Sequence, residues 1–272
     1  MRIQNTVLSS AVAFSFVLLL QPGSGPLAQD VAAAARANRA NHAKTESEKA
    51  DSAWYSPTRV TLRAQEQGTS AVMIYEISGN QDLKITMNTT ENGKQQTGEI
   101  MLINGQRQWM LAKNLPLEKG YEIDALDVPV LSLKLVLELL RAAVPGGPSQ
   151  IKEKTTFNVH EEIRSIAVNT ASASGGLEAP WSLQATIEPT AADQSSFELT
   201  AKHMETMHVS GTWQKEATPL AFSDEMPLDG WQILGIGPIK TTNGNETILD
   251  YGAQISNKHP KTLGELRKVA TK

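Results

Sequence analysis

No stretch of the chain is as demanding as residues 128–144, VPVLSLKLVLELLRAAV. The spacing predicts a helix of about four turns. Asp127 is placed to cap its start, Pro129 is tolerated in a first turn, and Pro145-Gly146-Gly147-Pro148 stops it. At about 100° per residue, Lys134, Glu138 and Arg141 share one narrow stripe. Leu131 and Leu137 border that stripe, while Leu133, Leu135, Val136, Leu139 and Leu140 fill the rest of the circumference. A surface helix buries one face, but this one needs cover on most of its sides. The flanking segments read as strands, so the expected cover is a curved β-sheet.

That expectation rests on a period of two. From Ser56 onward Val60, Leu62 and Ala64 alternate with polar residues, and the pattern continues through Ala71, Met73, Tyr75 and Ile77, then Leu83, Ile85 and Met87. Ile100, Leu102 and the segment around Trp109 complete the series. Turn residues at Gln67-Gly68, Gly79-Asn80, Glu91-Asn92-Gly93 and Asn104-Gly105 make it an antiparallel meander, with Asn104-Gly105 the sharpest hairpin signal. Segments 72–77 and 100–103 are apolar on both faces, as strands covered twice or facing a groove would be. After the helix, strands are expected over 151–157, 163–168, 181–187, 197–201 and 207–213, then a long loop over 214–230. Two last strands follow, over 231–242 and 246–252, with a short helix over 263–269. The fold class is therefore mainly β with a buried helix (α+β), a curved antiparallel sheet or half-barrel wrapped around a helical plug.

Arg2, the apolar run 7–20 and the break at Gln21-Pro22-Gly23 form the pattern of a secretory signal peptide. Cleavage is expected after Ala28, or alternatively within 32–35; an uncleaved anchor is the other reading, though the run is short for a span of about 20 residues. Residues 29–53 read as a helical or mobile N-terminal segment, and 54–272 as a single β-rich domain. The absence of cysteine excludes disulfides, thiol catalysis, cysteine-ligated metal and attachment of lipid through a cysteine. An exported chain without disulfides suits a bacterial periplasm. No other apolar run reaches spanning length without charges, so no transmembrane segment is expected after cleavage. A formal charge of −4 and the lack of a basic patch exclude a nucleic-acid interface.

Motifs for catalysis are missing. His203-Met204-Glu205-Thr206-Met207-His208 lacks the spacing of a helical zinc protease. In a strand its imidazoles and thioethers alternate between faces and do not converge on copper; a turn with one methionine in the core is the plainer reading. Glu161-Glu162 and Asp224-Glu225 read as solvated charge, and Gly235-Ile236-Gly237-Pro238 as a strand irregularity rather than a phosphate loop. No enzyme, catalytic residue, metal or cofactor is expected. Trp54, Trp109, Trp181, Trp213 and Trp231 sit on or beside strands, where core packing is their ordinary role.

The order of signal peptide, helical segment, meander, buried helix and further antiparallel strands resembles the LolA/LolB-like periplasmic lipoprotein-carrier superfamily, which includes RseB-type domains. The resemblance covers residues 54–252 and rests on order and pattern, with no diagnostic motif. It implies a curved, unclosed sheet around a helical plug, with acyl chains bound between them. The expected function is a periplasmic binding or carrier protein for a lipid, a lipoprotein acyl chain or another apolar ligand. Trp109, Leu131, Leu135 and Leu139 are the residues expected to line its cavity. The alternative is an envelope regulator or assembly factor that acts on a protein partner through the sheet edge or the 214–230 loop. The sequence leaves open whether the apolar helix is plain core or binding site, and which ligand, partner or oligomeric state belongs to it.

Overall fold

The structure is a computed structural model that describes residues 54–55, 58–66, 69–78, 82–91, 93–103, 108–115, 122–170, 174–215, 222–241, 244–250 and 260–268. The expected signal peptide and N-terminal segment lie outside them. The meander forms from the alternating runs: β1 (Thr58–Glu66), β2 (Thr69–Ile77), β3 (Leu83–Glu91), β4 (Lys94–Ile103) and β5 (Gln108–Lys113). Its turns are short because the register leaves them little chain. Glu91 pairs with Lys94, so Asn92-Gly93 makes the connection, with Gly93 at φ 75° where a side chain would be strained.

The helix α1 (Glu122–Ala143) starts earlier than the expected 128 and takes Pro129 into its interior. Proline there forgoes one helical hydrogen bond and crowds the preceding turn, a cost of about 3 kcal/mol. The helix is bent, and the Ser132 hydroxyl donates to the Val128 carbonyl at 2.8 Å. Burial of the leucines beyond the proline outweighs the local preference for ending the helix there. Pro145 to Pro148 then end α1 as expected, and a single 3-10 turn (Pro148–Gln150) follows.

Next come β6 (Thr155–Glu161), β7 (Ile166–Asn169), β8 (Ser174–Leu177), β9 (Trp181–Ala191), β10 (Gln194–Lys202), β11 (Thr206–Lys215), β12 (Gln232–Thr241), β13 (Gly244–Asp250) and α2 (Leu263–Arg267). The strand expected over 151–157 begins only at Thr155, because Ile151 is buried and closes the 3-10 turn through its N–H to Pro148. β8 was hidden by two adjacent glycines, which carry no β signal.

Eleven strands form one antiparallel sheet in the order β13-β12-β5-β4-β3-β2-β1-β11-β10-β9-β6, and β7-β8 is a separate hairpin. Among the described residues the sheet is not closed, with β13 and β6 as its two ends. Two cores lie on its opposite faces. The main core joins α1 to inward residues such as Leu62, Tyr75, Ile85, Ile100 and Met110, and to Ile166, Val168 and Leu177 of the hairpin. The second core packs Met101, Ile103, Trp109 and Leu111 against Leu228, Leu263 and Leu266. Strand residues alternate faces, so β4 and β5 feed both cores at once. That is why segment 100–103 is apolar throughout.

The cover of the second core is stitched by main chain. Leu228 N–H donates to Lys261 O, Leu263 N–H to Met226 O and Gly264 N–H to Asp224 O. Arg267 adds ion pairs to Asp82 at 2.5 Å and Asp224 at 2.6 Å. Much of the segment expected to be a long loop is thus a structural cap.

Candidate ligand-binding site

Along α1, Val130, Leu131, Leu133, Leu135, Val136, Leu137, Leu139 and Leu140 are all buried, and Leu135 and Leu139 have no exposed surface. Lys134, Glu138 and Arg141 are half-buried along the stripe that their spacing predicts. Each is tied down. The Lys134 ammonium donates to the Asn169 carbonyl at the end of β7, Tyr55 donates to Glu138 at 2.9 Å, and Arg141 lies 3.5 Å from the same carboxylate. The helix packs against β6, β7, β8 and β9.

The C-terminal end of α1 is locked by tryptophans. The Trp54 indole donates to the Val144 carbonyl at 3.1 Å, and the Trp213 indole donates to the Trp54 carbonyl at 3.2 Å. The two rings meet edge to face, with centroids 5.5 Å apart. The Val144 carbonyl, just past the helix end, thus accepts from the indole as well as from the Gly147 N–H.

Of the four residues expected to line a cavity, the structure brings Leu131, Leu135 and Leu139 together in the main core. Trp109 is elsewhere. It belongs to the second core, opposite Ile103 on β4, and so points away from α1. Its register parity with Ile103 could have shown this, had the cover on that face been foreseen.

The alternation already points Met73 and Met87 inward, and the 203–208 cluster is expected to put one methionine in the core; the structure buries Met73, Met87, Met110 and Met207 in the same main core. Thioethers on unbranched chains adapt to irregular packing. Tyr75 shares that core with no exposed surface, and its hydroxyl donates to the Met73 sulfur at 3.2 Å. Thioether sulfur is a weak acceptor. Burial pushes the Tyr75 pKa well up, and the hydroxyl stays a neutral donor.

The other candidates resolve into ordinary structure. Residues 203–205 form the bend between β10 and β11, with Met207 buried and Met204 82% exposed. His203 contacts the Pro180 carbonyl and His208 the Thr200 hydroxyl, on separate partners. Among the described residues no cluster of three His, Cys, Asp or Glu side chains is placed to hold a metal. Gly235 to Pro238 run within β12; Pro238 lies beyond the part of that strand that pairs with β5, where its missing donor is not required. Among the described residues no helix is long and apolar enough to cross a membrane.

No protein-family model matches this chain, and no curated protein and no solved structure matches it either.

Proposed function

We propose that this chain is an exported, periplasmic binding or carrier protein for a lipid, a lipoprotein acyl chain or another apolar ligand, held between α1 and a sheet that curves around it as a half-barrel. One observation carries the reading. A helix with apolar residues around nearly its whole circumference shares a core with four methionines and a buried tyrosine whose acceptor is a thioether. An acyl chain suits a lining that can deform, and an ester or amide carbonyl accepts the Tyr75 proton better than sulfur does. The likeness in layout to the LolA/LolB-like carriers points the same way.

The test is organic extraction of protein purified under native conditions from the envelope, followed by mass spectrometry. Stoichiometric lipid, displaced by an apolar fluorescent probe, is the expected result. An empty protein that takes up no probe would refute the reading. One stoichiometric protein partner with no lipid would favour the second reading, an envelope regulator or assembly factor, which the open end of the sheet at β6 supports.

A further inference from the structure

β6 ends the sheet and pairs with β9 alone, and its other side meets no further strand among the described residues. An open strand edge is a template for pairing, and sheets ordinarily blunt it with proline, lysine or a bulge. β6 reads TTFNVHE, has none of these residues, and pairs with β9 without a register shift. Its inward side chains are unfinished too. Phe157 and Val159 remain half-buried against the main core, while Ala185 and Leu183 opposite them on β9 are fully covered.

We propose that a second copy of this chain completes the edge, β6 pairing antiparallel with β6 across a twofold axis at Asn158. The sequence is self-complementary in that register. Phe157 falls opposite the second copy's Val159 on the inner face, and Lys154 opposite Glu162 on the outer face. Neighbouring registers are worse. An axis at Phe157 sets Glu153 against Glu161, and an axis at Val159 sets Lys154 against Arg164 and Phe157 against Glu161. Lys154 already lies 3.2 Å from Glu188, but both are exposed, so the ammonium can bridge to a second carboxylate. The pairing would satisfy the edge and continue the apolar inner layer from one copy into the next, whether or not a ligand is bound.

The chain has no cysteine, which makes the axis directly testable. Residues facing each other in an antiparallel pair have Cα atoms about 4.5–5.5 Å apart, within disulfide range. In the full chain, Asn158→Cys should give a covalent dimer under mild oxidation, read on a non-reducing gel. Thr156→Cys should not, because its own copy is about 13 Å away along the strand; mixed with His160→Cys it should cross-link. Sedimentation equilibrium should find the wild type dimeric, with dissociation at least tenfold easier in Asn158→Lys at unchanged circular dichroism. A monomeric wild type at micromolar concentration would overturn the proposal. So would cross-linking of Thr156→Cys alone as readily as Asn158→Cys.

Discussion

Tyr75 concentrates the chemistry of the main core in one hydroxyl. It is buried, its acceptor is the Met73 sulfur, and ionising it in place would strand an anion among apolar side chains. Its pKa is therefore raised in the folded chain, while the unfolded chain ionises near the ordinary value of about 10. The stability from keeping this phenol neutral is complete below about pH 10 and is lost as pH rises above it. Compared with Tyr75→Phe, the wild type should lose about 1.4 kcal/mol per pH unit in that alkaline range, measured by urea midpoints. Near neutral pH the substitution should cost about 1 kcal/mol or less, since the hydrogen bond to sulfur is weak. Equal alkaline slopes in both proteins would show that the hydroxyl reaches water. None of this was legible in the sequence, where Tyr75 is one apolar position in an alternating strand. Its partner sits two residues away on the same face, a contact that period alone cannot distinguish from packing.

At the scale of elements, leucine spacing predicts the helix and alternation predicts the strands, and both signals fail where long-range packing outweighs local preference. Pro129 ought to mark a first turn, yet α1 runs through it. Ile151 ought to open a strand, yet it is buried beside a 3-10 turn. The sequence assigns Trp109 to the helix side because nothing in it announces that α2 and residues 222–231 cover the other face. The carrier reading bears directly on how α1 is packed. Leu135→Ala should cost about 2–5 kcal/mol if the helix is ordinary core. If α1 instead lines a deformable binding site, chemical denaturation should show a smaller loss, and binding of an apolar probe should change in the same variant. A full penalty, together with a wild type that binds no probe, would remove the site from α1.

For the molecule as a whole, the seam that matters is β1 against β11, where the meander meets the strands that follow the helix. Gly211 lies on that seam, paired with Leu62 on one side and Phe197 on the other. A Cβ at Gly211 would come within 2.1 Å of the Thr61 carbonyl and 2.7 Å of the Phe197 ring. Gly211→Ala should therefore destabilise the fold by about 1–3 kcal/mol, read as a lower urea midpoint, because backbone on one side and a packed ring on the other leave little room to give. An unchanged midpoint would mean that the seam is looser than its register. The tryptophan pair near this seam has a further consequence. Trp54 and Trp213 lie edge to face at 76° and 5.5 Å, close enough for their electronic transitions to mix. The folded chain thus carries its own optical reporter, a chiral signal in ultraviolet absorption that persists only while the chain leading into β1 stays fastened to the end of the helix.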